Sequence, residues 1–143
     1  MIRTAFVLAG LGLGLAATMA QADPIAERQQ LMKGVGRATR EGAAMAKGDA
    51  AFDAAKAQGI FKTYADAAKT MPTLFPETSR TGGETTAAPK IWEDQAGFKA
   101  AFAKFEADAG AGAGVTDLAG FRAAFGAATK NCGACHEVYR VKR

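Results

Sequence analysis

The sequence predicts an all-α fold, an antiparallel four-helix bundle, and three observations carry that prediction. Apolar residues recur at steps of three and four along four stretches, which places them on one face of a helix in each. No stretch alternates apolar and polar residues as a half-buried strand would. Most breaks between the stretches are short and marked by Gly or Asp, so successive helices fold back on one another.

Residues 1–22 stand apart from this pattern. Met1-Ile2-Arg3 carries one positive charge, Thr4 to Ala17 is apolar, and Ala20-Gln21-Ala22 offers a small-residue cleavage site. That is the layout of a signal peptide, with an apolar run short for a membrane span. No twin-arginine pair is present, which points to the general secretory route. Residues 23–143 then form one exported domain with no membrane span of its own.

The first helix is expected from Pro24 to about Lys47. Asp23 is placed to cap it and Pro24 suits the first helical position. Leu31, Val35, Ala38, Gly42 and Met45 form its seam, with Ile25, Arg28, Met32 and Val35 as an adjoining stripe. Gly48 ends it and Asp49 is a candidate cap for the second helix, read from about Ala50 to Thr70 with Ala57, Ile60, Tyr64, Ala67 and Met71 facing inward. Pro72 should push Met71 out of helical geometry. Residues 71–88 hold Pro72, Pro76, Gly82 and Gly83 and read as one long irregular connection, crossing an end of the bundle or covering a ligand edge.

Pro89 is expected to open a third helix reaching about Ala109, with Ile91, Phe98, Phe102, Phe105 and Ala109 as its core stripe. The aromatic stripe reads as core packing before it reads as ligand contact. After a turn containing Gly110, Gly112 and Gly114, Thr116 is the expected cap of a last helix running to about Arg140. Its seam is Leu118, Phe121, Phe125, Ala128, Cys132, Cys135 and Tyr139.

Both cysteines and the only histidine of the chain lie in Cys132-Gly133-Ala134-Cys135-His136. Cys-x-x-Cys-His is the pattern for covalent haem attachment, in which two thiols add to the haem vinyl groups and the neighbouring imidazole binds the iron. On a helix, positions i, i+3 and i+4 share one face, so all three side chains can address one flat ligand. A structural zinc site would need a fourth ligand, and no Cys or His remains to supply it. A redox Cys-x-x-Cys pair would need a βαβ setting, and a simple disulfide would leave the following His a coincidence. The expected cofactor is therefore one haem c, bound covalently through Cys132 and Cys135.

The net charge is +4, of which Arg3 in the leader contributes one, and no Lys/Arg cluster marks a nucleic-acid surface. No paired carboxylates, Ser/His/Asp set or phosphate-binding glycine loop supports a conventional enzyme.

The C-terminal motif, followed by Tyr139-Arg140, resembles that of the class II c-type cytochromes, the family of cytochrome c-prime and low-spin cytochrome c-556. Arg28-Gln29-Gln30-Leu31-Met32-Lys33, Leu74-Phe75-Pro76 and Pro89-Lys90-Ile91-Trp92 are similar to that family as well. The resemblance implies a four-helix bundle with haem on the C-terminal helix and His136 as the proximal iron ligand. It implies two possible roles. With Met32 as the sixth ligand, as in the c-556 type, the protein is a periplasmic one-electron carrier serving redox partner proteins. With Met32 only lining an open distal site, it is a binder of NO or CO. The sequence wording favours the first. The resemblance also gives Arg28 a haem propionate as partner and sets Tyr139 on the proximal side of the haem. Arg140 either reaches the same haem edge or stands in solvent. Bundles of this family often form homodimers, so the resemblance also implies a homodimer as a partner state.

Overall fold

The computed structural model describes residues 23–142, so the signal peptide expected at 1–22 lies outside them. The chain folds into helices α1 (Pro24–Lys47), α2 (Ala54–Thr70), α3 (Lys90–Glu93, a single turn), α4 (Gln95–Ala111) and α5 (Leu118–Tyr139). The four long helices form the antiparallel bundle, and among the described residues there is no strand beyond one isolated bridge between Ala87 and Arg140.

The predicted stripes supply most of the observed core, with Leu31, Leu118, Cys132 and Cys135 only half-buried. Val35, Ala38, Gly42 and Met45 of α1 are buried, as are Ala57, Ile60, Tyr64 and Ala67 of α2 and Phe98, Phe102, Phe105 and Ala109 of α4. Phe121, Phe125, Ala128 and Tyr139 of α5 complete it. Phe61, Tyr64, Phe105, Phe121 and Phe125 interlock at the centre, with ring centroids 5.3 to 6.5 Å apart. That spacing suits edge-on and offset aromatic contacts.

Several boundaries differ from the sequence expectation, each for a local reason. Gly48 takes a left-handed conformation (φ 90°), and the amides of Asp49 and Ala50 return to the carbonyl of Ala44 at 2.9 and 3.2 Å. Those two residues thus close α1, and α2 starts at Ala54 with Asp53, not Asp49, accepting from the amide of Lys56 at 3.0 Å. The expected third helix is broken at Asp94, whose carboxylate caps α4 by accepting from Gly97 at 3.0 Å. Asp117 rather than Thr116 caps α5, accepting from Gly120 at 2.8 Å. Met71 keeps helical angles before Pro72 because the chain tightens there into a 3-10 turn, Met71–Leu74, with both end residues buried. The proline lacks its amide where a first turn does not need one.

Along the α1–α5 pair, the bundle is shut at one end and open at the other. At the shut end Gly42 is buried against the Phe125 ring, so closely that a methyl group in its place would collide. Arg122 on α5 reaches across to donate from Nε to the carbonyl of Ala46, at 2.7 Å. The open end is the N-terminal half of α1 facing the C-terminal half of α5.

Candidate functional site

A cleft of about 850 Å³ occupies that open end. Met32, Val35 and Thr39 line it from α1; Cys132, Cys135, His136 and Tyr139 line it from α5. Phe98 and Phe102 of α4 and Ile91 of α3 also line it, and Phe75 joins them from the loop. The walls are largely apolar, and the Cys/Cys/His set addresses them from one helix face, as the spacing predicted.

Both cysteines are half-buried, and burial pushes both thiols up, Cys135 further so through the proximity of Cys132. A redox or metal-clipping thiol is pushed the other way, toward thiolate. The His136 residue is exposed, but the desolvation its ring does experience, with the Arg140 charge adding to it, pushes the imidazole down toward the neutral form that binds metal. Met32 is partly buried, packs against the core and lines the cleft from α1.

Arg28 lines the cleft and is 5 % exposed. Its Nη1 donates to the carbonyl of Leu74 at 3.1 Å and to Ser79 Oγ at 3.0 Å. Its Nη2 donates to the carbonyl of Ser79 at 3.1 Å and to Thr85 Oγ1 at 2.7 Å. The guanidinium also lies over the Phe75 ring, 4.5 Å from its centroid. Four terminal N–H groups are thus committed to the loop, which leaves Nε–H for the propionate that the family resemblance suggests. Burial pushes the Arg28 pKa down, with Asp23 opposing.

Tyr139 is buried, and its hydroxyl donates to Asp94 Oδ2 at 3.2 Å, so the residue faces the cleft with its ring and α4 with its oxygen. Arg140 leaves the helix in extended geometry, is exposed, lines the cleft mouth and donates from Nε to Thr86 Oγ1 at 3.4 Å. Phe98 and Phe102 belong both to the core and to the cleft wall, so core packing and ligand contact are not alternatives for them. Ile91 was legible from the stripe of the expected third helix, whereas Phe75 and Thr85 are wall residues that helical periodicity could not find. Only the Leu74-Phe75-Pro76 wording of the loop signalled Phe75, and nothing signalled Thr85.

Comparison with known proteins agrees with this geometry. The family model described as Cytochrome C' matches residues 23–140. A cytochrome c' of Rhodopseudomonas palustris is 43% identical over 143 residues, covering 99% of this chain and 98% of its own. A cytochrome c-556 of the same species is 35% identical over 147 residues, covering 99% of each. The solved structure of cytochrome c' from Rhodopseudomonas palustris superposes with a TM-score of 0.82 at 46% identity, covering 86% of this chain and 99% of that one. The chain belongs to the cytochrome c' family, the class II c-type cytochromes. It is a haem protein, and its two cysteines stand in the arrangement for covalent attachment of haem c.

Proposed function

We propose that this chain is a periplasmic one-electron carrier whose haem iron is held between His136 and Met32. The observation that carries the reading is that the Met32 thioether on α1 and the His136 imidazole on α5 line one cleft with both cysteines. Cys132 and Cys135 would hold the macrocycle on α5, and Val35, Phe98 and Phe102 would keep water from its faces. The haem supplies the one-electron couple of its iron. A soft thioether opposite an imidazole favours the reduced state of that couple and saturates the iron. The signal-peptide layout of residues 1–22 supports export, and no helix of the described residues is long and apolar enough to cross a membrane. Redox proteins of the periplasm are then the partners.

A second reading, a gas-binding protein of the cytochrome c-prime type, draws support from the 43% identity to a cytochrome c' along nearly the whole chain. In that case Met32 would be a wall of an open distal site. Met32→Ala separates the two. On the electron-carrier reading it lowers the midpoint potential and turns a ferrous protein that binds CO poorly into one that binds it well. If wild type already takes CO readily and the substitution changes only the rate of access, the gas-binding reading holds.

A further inference from the structure

The loop between α2 and α3 ties together the two helix turns that face each other across the cleft. On the α1 side it is held by the four Arg28 hydrogen bonds, to residues 74, 79 and 85, and by Gln29 Nε2 donating to the carbonyl of Glu84 at 2.6 Å. On the α5 side the amide of Ala88 donates to the carbonyl of Tyr139 at 3.0 Å, and that of Val141 to the carbonyl of Thr86 at 2.9 Å. Arg28 lies one turn before Met32, and Tyr139 one turn after His136. The α1–α5 pair is therefore in close contact at Gly42–Phe125 and strapped by the loop where the cleft opens.

Arg28 is an unusual choice for a plain packing residue. Its four acceptors in the loop are neutral oxygens, so the clasp itself uses the shape of the guanidinium and not a charge pair. What a guanidinium provides is a planar fork that fixes several oxygens in one geometry. Ser79, itself buried, receives two of the bonds and in turn donates from Oγ to the carbonyl of Pro76 at 2.9 Å. The clasp also seats Phe75 between the guanidinium and Phe98, whose centroid is 4.8 Å away, and so fixes one cleft wall.

We propose that Arg28 is the positioning residue for Met32: its clasp on residues 74–85 sets the width of the cleft mouth, and so decides whether the thioether stands within bonding reach of an iron held by His136. This rests on the reading of Met32 and His136 as the ligand pair. It makes ligation a property of the strap as well as of the methionine, so that a chain can carry the methionine and leave the iron open.

The test uses ferric and ferrous holoprotein of wild type, Met32→Ala, Arg28→Ala, Arg28→Lys and the loop variant Ser79→Ala with Thr85→Val. The readouts are the near-infrared sulfur-to-iron band, the ferric spin state, CO uptake and helical circular dichroism. The loop variant leaves α1 and every charge unchanged, and it decides the matter if Arg28→Ala does not fold. With helix content retained, Arg28→Ala and the loop variant should shift the low-spin to high-spin ratio by at least about tenfold toward high-spin, with Arg28→Lys between them and wild type. Wild-type band and CO resistance in both, with both lost in Met32→Ala, would overturn the proposal and leave the ligand pair standing. High-spin spectra in wild type and Met32→Ala alike would overturn the ligand pair, and the proposal with it.

Discussion

The two ends of the α1–α5 contact hold together by different physics. At the shut end the backbone of Gly42 meets the Phe125 ring directly, and Tyr64, Phe105 and Phe121 fill the space behind it. At the open end the same helices are separated by a cleft of about 850 Å³, and the loop's hydrogen bonds span the gap. Close packing fixes a distance through many small contacts and resists change. A strap of hydrogen bonds fixes it through a few directional ones, and one substitution can alter it. The cleft at the second end is where the Cys132, Cys135 and His136 side chains line a space wide enough for a ligand plate.

The widest test of that contrast removes the plate. Cys132→Ala with Cys135→Ala, or expression without haem attachment, leaves the cleft unfilled. At about 24 cal/mol per Å³, even a third of that volume kept closed and dry would cost roughly 7 kcal/mol, comparable to the whole stability of such a domain. The expected product is a loosely packed chain whose amide hydrogen exchange is fast in the N-terminal half of α1 and the C-terminal half of α5, with residual protection around Gly42 and Phe125. Sharp, dispersed amide spectra with uniform protection would break the contrast.

Tyr64 offers a smaller test at the junction of the two ends. Its ring is fully buried and its hydroxyl shares a hydrogen bond of 2.8 Å with Thr39 Oγ1, on the cleft wall. Burial pushes the phenol up to about 12; the Thr39 bond opposes this, and proximity to the Cys132 thiol adds to it. The fold therefore tolerates the protonated form. The stability it confers is complete below the unfolded value near pH 10 and is lost as pH rises toward 12, by up to about 3 kcal/mol. Tyr64→Phe should flatten that alkaline limb in a plot of denaturation midpoint against pH, at a cost of about 1 kcal/mol at neutral pH.

Gly42→Ala should sharpen the picture of the shut end. The added methyl meets the Phe125 ring, and the resulting overpacking, about 1–3 kcal/mol, outweighs the roughly 1 kcal/mol gained in helix propensity. Gly59→Ala, exposed on α2 with open space around it, should instead stabilise by roughly 0.5–1 kcal/mol. Urea midpoints moving in the same direction for both would contradict the close approach.

Much of this was legible in the sequence because packing in a bundle is written in steps of three and four. Phe98, Phe102, Phe121 and Phe125 are inward for that reason, and Cys132, Cys135 and His136 share a face for the same one. Helix caps were less legible. Asp49 and Asp53, or Thr116 and Asp117, are equally good candidates in isolation, and the choice follows from where Gly48 turns the chain and from which carboxylate reaches a free amide. The partners of Arg28 were hidden altogether. They lie 46 to 57 residues away in a loop with no periodicity, and only the folded chain brings them together.

The most direct measurement is the ferric spectrum of the wild-type holoprotein at neutral pH. If Met32 and His136 both bind the iron, as proposed, it should be low-spin, with the weak near-infrared band of sulfur-to-iron charge transfer. A high-spin ferric spectrum without that band would contradict the account, whatever the cleft's shape.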